Sequence, residues 1–158
     1  MPSRRQLVVA IGTGIAVGAA GCSGSGTGGS ATVDCHTHAL AHGDGDVLDG
    51  GAMASVEDDD VRLAVPLSVD AVRETGLDSL QLYDAAGDLT HVIPVSAGDR
   101  ERMATKAGVS DGQLRYEQYL GERPYHGQIR VVAVDGAGER LDSVTVEFNC
   151  FPAAESDQ

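Results

Sequence analysis

Aromatic and basic residues are scarce in this chain of 158 residues. It contains no tryptophan, four tyrosines and two phenylalanines, and Lys106 is its single lysine. The 24 acidic residues outnumber the 11 basic ones, which gives a formal net charge of −13. Nucleic acids and anionic membrane surfaces are themselves negative and would repel such a protein. The composition therefore argues against both as direct ligands.

The common short motifs of catalysis and glycosylation are also missing. The sequence has no G-x-S-x-G nucleophile elbow, no phosphate-binding P-loop and no glycine-rich dinucleotide fingerprint. Asn149 is its only asparagine and is followed by Cys150 and Phe151, so no N-x-S/T acceptor for glycosylation exists. We therefore expect a protein that is not an enzyme.

A long hydrophobic run is absent as well. A transmembrane helix needs about 20 consecutive apolar residues, whereas the apolar run from Leu7 to Ala20 has 14 residues and is interrupted by three glycines. Arg4 and Arg5 precede this run, and the small residues AAG precede Cys22. A positive segment, a short apolar run and a small-residue cleavage site are typical of an export signal. We therefore expect the start of the chain to direct export.

The motifs SRRQLVV and AAGC in this segment resemble a twin-arginine signal peptide joined to a lipobox. The resemblance implies that Arg4 and Arg5 direct export, that residues 1–21 are removed, and that Cys22 becomes the lipidated first residue of the mature protein. The lipid would anchor the protein to the outer face of the cell membrane. The alternative is an uncleaved N-terminal anchor in which Cys22 carries no lipid.

The acidic surface has a second resemblance, to proteins secreted by halophilic archaea. Aspartate outnumbers glutamate, lysine is nearly absent, and the loss of Arg4 and Arg5 with the signal would take the formal charge from −13 to −15. In such proteins many hydrated carboxylates keep the chain soluble in concentrated salt. We therefore interpret the acidity as an adaptation to solvent and not as a binding site.

The composition divides the chain after the signal into three parts. Residues 22–34 combine Cys22 with a Gly/Ser-rich tether that has little to bury. Residues 35–151 are long enough for one folded domain. Residues 152–158 then form a short C-terminal tail.

The folded part has the periodicity of short antiparallel strands. Apolar residues alternate from Val61 to Val69, as in a half-buried strand, and Pro66 indicates an edge or a bulge. One hairpin is predicted for LQLYD and LTHVIPV around AAGD, and another for GQIRVVAVD and LDSVTVEFNCF around GAGER. A short helix is predicted within GDRERMATKAG. About six or seven strands with little helix predict an all-β, antiparallel β-sandwich.

The segment GQIRVVAVDGAGERLDSVTVEF resembles the last two strands of immunoglobulin-like or fibronectin-type-III-like modules. The resemblance implies an architecture and no function, because this fold serves many functions.

The chain has three cysteines, an odd number for an exported protein. If Cys22 carries the lipid, as the lipobox implies, Cys35 and Cys150 remain, in a compartment that favours oxidation. We predict a disulfide between them that joins the first and last strands.

The stretch DCHTHALAH contains the clearest local pattern of possible metal ligands. His36 and His38 are two residues apart, so both imidazoles would lie on the same face of a strand and could reach one metal. His42, Cys35 and nearby aspartates offer further ligands, and this set suits copper or zinc. No second closely spaced pair of ligands completes a tetrahedral set, so we expect a polar segment with solvated histidines and no cofactor, and copper or zinc binding is the alternative. His91 and His126 have no closely spaced partner, and we expect neither to be a ligand.

These observations lead to one functional hypothesis and two alternatives. We expect a lipid-anchored cell-surface β-sandwich protein with a non-catalytic binding or structural role and, as a partner, another surface protein. The first alternative is a copper- or zinc-handling lipoprotein that uses His36, His38 and His42. The second is an accessory subunit of a surface enzyme or transporter.

Overall fold

The structure is a computed structural model that describes residues 34–106 and 108–153. The signal segment with Arg4 and Arg5, the anchor Cys22, most of the tether and the end of the tail lie outside these residues. In chain order the strands are β1 (Cys35–His42), β2 (Met53–Glu57), β3 (Asp60–Ser68), β4 (Leu77–Tyr83), β5 (Leu89–Pro94), β6 (Gln113–Glu122), β7 (Tyr125–Asp135) and β8 (Arg140–Cys150). The helices are α1 (Val69–Thr75), a 3₁₀ turn (Ala97–Asp99) and α2 (Arg100–Met103). In the part of the chain that is described, no helix has the length and apolar character needed to cross a membrane.

The strands form two antiparallel sheets that pack face to face. The larger sheet has the order β1-β8-β7-β4-β5, and the smaller has the order β2-β3-β6. The predicted antiparallel β-sandwich is therefore confirmed. The described residues contain eight strands, against the predicted six or seven, because β2 lies in a stretch whose sequence resembles a loop.

The core is formed by the inward-facing residues of both sheets. Alternate side chains of β3 meet those of β4, β7 and β8. The last strand turns one apolar face inward, since Val144, Val146 and Phe148 are all buried. The outward-facing residues between them are partly or fully exposed. The outward-facing side of β8 is therefore polar.

Both predicted hairpins are present. β4 pairs with β5, and β7 pairs with β8. In each turn an aspartate accepts backbone N–H groups: Asp84 from Ala86 and Asp88, and Asp135 from the corresponding residues of its own turn. Gly87 has a φ of 88°, a left-handed conformation that glycine adopts at little cost.

The end of the predicted strand from Val61 to Val69 is different in the structure. β3 ends at Ser68, and the helix α1 begins at Val69. The Ser68 hydroxyl accepts the N–H of Ala71 at 3.3 Å, which caps the helix, and Gly76 ends it with a φ of 72°. Val69 and Val72 are nevertheless buried. The first turn of α1 therefore continues the apolar pattern that was interpreted as a strand.

Pro66 lies in the central strand of the smaller sheet, where the sequence predicted an edge or a bulge. β2 is short, and its pairing with β3 ends at Ala64. Beyond that point β3 pairs only with β6, where Pro66 lies opposite Arg115. At Pro66 the strand therefore has a neighbour on one side, which is why a residue without an N–H is tolerated.

The predicted disulfide between Cys35 and Cys150 is confirmed. It joins β1 to β8, where the two cysteines lie directly opposite each other. β1 extends from Cys35 to His42 because its backbone pairs with β8 over this stretch, with one shift between Ala39 and Ala41. The disulfide thus connects the first and last strands, as predicted.

Candidate functional site

The register of three neighbouring strands aligns polar side chains on the outer face of the larger sheet. His36 on β1 lies opposite Asn149 on β8, which in turn lies opposite His126 on β7. The next row contains His38, Glu147 and Gln128 in the same order. Residues directly opposite each other in antiparallel strands project to the same face. The two rows therefore place three imidazoles on one surface.

These two rows form the wall of a groove of about 600 Å³. We call it the histidine groove and define it by six polar residues: His36, His38, His126, Gln128, Glu147 and Asn149. Gly127 and Phe148 also line it, and Ala85 contributes from the turn between β4 and β5. The three imidazoles are exposed.

Two local contacts hold the end of the groove at which His36 lies. The disulfide-bonded Cys35 and Cys150 immediately adjoin His36 and Asn149 in the sequence, so the row of His36 lies one residue from a covalent link. The His36 ring also packs edge to face against Phe151, with 5.3 Å between the ring centroids. The backbone positions of this row are therefore held more firmly than those of an ordinary sheet edge.

His36 and His38 lie on the same face and line the same groove, which is the arrangement that their spacing predicted. His42 does not line it. The pairing of β1 with β8 shifts by one residue between Ala39 and Ala41, and His42 lies opposite the core residue Val144. This β-bulge turns His42 toward the other face of the sheet. A single extra residue thus separates the third predicted ligand from the first two.

Two other predicted ligands already have bonding partners outside the groove. Cys35 is in the disulfide and has no thiolate to offer. Asp34 accepts a hydrogen bond from Arg123 at 3.1 Å. Within residues 34–106 and 108–153, no group of three or more His, Cys, Asp or Glu side chains is arranged so that it could hold a metal ion.

His126 was not expected to be a ligand, yet it lies in the row of His36. No local pattern in the sequence reveals this, because His126 is far from the DCHTHALAH stretch along the chain. The two histidines meet only because β8 pairs with β1 on one side and with β7 on the other. The same pairing brings Glu147 and Asn149 between them.

A second cluster of ionisable side chains joins β6 to the segment that follows β5. The Tyr116 hydroxyl donates to the Asp99 carboxylate at 2.8 Å and accepts the N–H of Ser96 at 3.1 Å. Arg102 also donates to Asp99. The hydrogen bonds from Arg102 and Tyr116 hold the pKa of Asp99 below its usual value, and burial raises the pKa of Tyr116 to about 12. These groups satisfy one another, so we interpret the cluster as a structural pin.

The Tyr116 pin predicts a distinct alkaline titration. Ultraviolet absorbance should show tyrosinate forming with a midpoint of about pH 12, and Tyr116→Phe should remove this step. An unfolded chain releases the same proton near pH 10, at about the ordinary tyrosine pKa. The folded-state pKa is raised, so the stability that the neutral phenol provides is complete below about pH 10 and is lost as pH rises through 12.

The control for this titration is Tyr119→Phe, on the same strand, because Tyr119 is 47% exposed. This variant should keep the step at about pH 12. If the step survives in Tyr116→Phe and disappears in Tyr119→Phe, the assignment to Tyr116 is wrong.

Comparison with known proteins adds no family assignment: no family model matches the chain, and no curated protein is significantly similar to it.

Proposed function

We propose that the protein is a lipid-anchored, cell-surface binding module without catalysis of its own, and that the histidine groove is its binding site. The observation that carries the proposal is the groove itself, a rigid sheet surface on which imidazole, amide and carboxylate groups face a volume of about 600 Å³. Small-molecule sites are concave and place a few polar groups to fix the ligand. The groove has both properties.

The surroundings of the groove support binding more than catalysis. A nucleophile needs a base within hydrogen-bond reach, and the base needs a group that orients it. The groove contains no serine, and the cysteines next to it are bonded to each other. Beside the groove, the Arg130 guanidinium lies 5.5 Å from the centre of the Tyr83 ring, which extends the surface with a flat, polar contact area.

The lipid anchor is the part of the proposal that the N-terminal motifs support. Cys22→Ser should release the exported protein from the membrane fraction into the medium, because a lipobox cysteine is the only attachment point for the lipid. Replacing Arg4 and Arg5 by lysine should instead keep the full-length precursor in the cytoplasm. Immunoblots of the membrane, cytoplasmic and medium fractions distinguish these results.

The control is Tyr119→Phe, a change at an exposed residue that leaves the lipobox and the disulfide intact and should leave the protein in the membrane fraction. Membrane association that persists in Cys22→Ser would contradict the lipid anchor and favour the uncleaved N-terminal anchor. Robust hydrolase or redox turnover by the pure protein, lost on replacing a histidine of the groove, would contradict the non-catalytic role. Stable co-purification with a surface enzyme or transporter would favour the accessory-subunit alternative.

A further inference from the structure

We propose that the outer face of the larger sheet has a second binding site, next to the histidine groove, in which Arg130 and Arg140 hold the acid group of a small anionic ligand. The acid group is an oxyanion, either a carboxylate or a phosphate. The inference goes beyond the proposed function, because it assigns a site and a ligand chemistry outside the histidine groove. Only the placement of the rest of the ligand in that groove rests on the proposed function.

The site is a cleft of about 270 Å³ beside the turn between β4 and β5. We call it the arginine cleft and define it by five residues: Tyr83, Gln128, Arg130, Arg140 and Thr145. Tyr83 on β4 lies opposite Arg130 on β7, which lies opposite Thr145 on β8. These three side chains therefore share the outer face of the sheet. Gln128 lines the histidine groove as well, so the two sites are neighbours on one surface.

The Arg130 side chain is oriented by an aromatic ring and not by an acid. Its guanidinium lies 5.5 Å from the centre of the Tyr83 ring, a contact that attracts the cation to the ring face. The Tyr83 hydroxyl donates to the Gln81 side-chain oxygen at 2.7 Å, which holds the ring in turn. Arg130 Nε is buried and has no hydrogen-bond partner among the described residues. The guanidinium thus has unused hydrogen-bonding capacity, and buried donors without an acceptor are uncommon.

The ion pairs of the protein also leave both arginines of the cleft available. Within residues 34–106 and 108–153, Arg130 and Arg140 form no ion pair with an acidic side chain, although the chain has 24 acidic residues and 11 basic ones. Ion pairs in this part of the chain involve other arginines: Arg62, Arg100, Arg102, Arg115 and Arg123. In so acidic a protein, two such guanidiniums in one cleft indicate a negatively charged ligand.

The net negative charge of the chain does not exclude this ligand. Salt screens exposed charges beyond about 10 Å at about 0.1 M and beyond about 3 Å at about 1 M. A small oxyanion therefore responds mainly to the two arginines that it contacts. Asp84 is the acidic residue that lines the cleft, and its Oδ1 already accepts N–H groups from Ala86 and Asp88. Nucleic acids and anionic membranes remain unfavourable, because an extended polyanion would meet acidic residues over the whole surface.

The chemistry of the cleft suits an oxyanion. A guanidinium presents its N–H donors in a planar fork that matches two oxygens of a carboxylate or a phosphate. The Thr145 hydroxyl and the Gln128 amide add neutral donors at the side of the cleft. A polar body attached to the acid group would extend past Gln128 toward Glu147 and the imidazoles of the histidine groove. A ligand with an acid group at one end and hydroxyl groups at the other therefore fits both sites.

The test compares two sugars that differ in one group, since glucuronate carries a carboxylate where glucose carries a neutral hydroxymethyl. Inorganic phosphate is the third probe. The Cys22→Ser protein with its disulfide intact is titrated with each probe at constant ionic strength, and nuclear magnetic resonance follows the arginine Nε–H signals. We expect the Arg130 and Arg140 signals to shift in a saturable way with glucuronate or with inorganic phosphate, and to stay in place with glucose. The anion with the lower Kd identifies the acid group.

Arg130→Gln and Arg140→Gln should each weaken binding of that anion by about tenfold or more, because hydrogen bonds between charged groups are stronger than neutral ones. The signal of the remaining arginine reports the affinity. Arg73→Gln is the matched control, since it removes the same charge from an exposed residue of α1 outside the cleft. It should bind the anion as the parent protein does. Equal weakening in Arg73→Gln would show a general effect of net charge and overturn the site.

Far-ultraviolet circular dichroism and thermal unfolding check the folding of each variant. Arg140 is exposed, so Arg140→Gln tests the site even if Arg130→Gln is destabilised. If neither anion shifts the Arg130 and Arg140 signals, or if glucose shifts them as much as glucuronate does, the inference fails, whatever the histidine groove binds. If glucuronate shifts the arginine signals and leaves those of His36 and His126 unchanged, the arginine cleft is supported and the groove does not hold the rest of this ligand.

Discussion

Replacing both Cys35 and Cys150 by alanine should lower the free energy of unfolding by about 4 to 5 kcal/mol. The two cysteines are separated by 115 residues, and a cross-link over so long a loop removes much of the conformational entropy of the unfolded chain. The side chains of β1 are mostly exposed, so burial contributes little to holding this strand. The disulfide and the pairing with β8 therefore contribute most to holding β1 on the sheet.

Chemical denaturation with circular dichroism measures this loss. Cys35→Ala alone should be destabilised nearly as much as the double variant, because either change breaks the same bond. Cys22→Ala is the control and should unfold like the parent protein in both the presence and the absence of a reducing agent. A double variant within about 1 kcal/mol of the parent would contradict the predicted entropic role.

The same variant should also affect one end of the histidine groove. His36 and His38 lie on β1, and Asn149 lies on β8 next to Cys150. Without the disulfide the end of β1 is expected to fray, because it is an edge strand at the start of the domain. This end of the histidine groove should therefore lose order in the double variant even under conditions in which the domain remains folded.

Asp142→Ala should be the second most damaging change and cost about 3 kcal/mol of stability. Asp142 is 5% exposed, and its carboxylate accepts N–H groups from Leu48 at 2.8 Å, Ser143 at 2.8 Å and Gly45 at 3.2 Å. Hydrogen bonds to a charged group are stronger than neutral ones, and a buried N–H without a partner is costly. The loss would also release the segment that places Val47 and Leu48 in the core.

The matched control is Asp84→Ala. Asp84 also accepts two backbone N–H groups, from Ala86 and Asp88, but in an exposed turn where water can replace it. This variant should lose less than about 1 kcal/mol. Equal losses in Asp142→Ala and Asp84→Ala, measured by denaturant unfolding, would show that burial of the Asp142 carboxylate does not matter.

The glycines around Asp142 explain why this anchor works. A Cβ added to Gly45 would clash with the Leu141 carbonyl oxygen and would lie 2.8 Å from the Asp142 Cβ. The loop therefore passes so close to β8 that its amides reach the carboxylate. The sequence GDGDVLDG resembles a solvated, acidic loop, and nothing within it indicates a partner nearly a hundred residues later.

Several features of the fold could be predicted because their signal is local. Alternating apolar residues predicted the core strands, since a period of two is a direct consequence of strand geometry. Glycine and aspartate in short turns predicted both hairpins. The cysteine count, together with the resemblance to a lipobox, predicted the disulfide.

The candidate site could be predicted only in part. The spacing of His36 and His38 predicted that they share a face, because two residues on a regular strand suffice for that statement. The position of His42 could not be predicted in this way, since a bulge between Ala39 and Ala41 reverses the faces beyond it. A bulge depends on how one strand meets its neighbour and leaves no period in the strand's own sequence.

Strand periodicity, turn positions and the residues available for cross-linking or metal binding are properties of short segments, and the amino-acid sequence was sufficient for them. The strand order, the register and the bulge depend on contacts between segments far apart in the chain. They decide that His126 joins His36 across Asn149, that His42 is turned away, and that Asp142 holds the loop from Gly43 to Gly51. Local steric and hydrophobic preferences are the same for many registers, and only the packing of all eight described strands selects one.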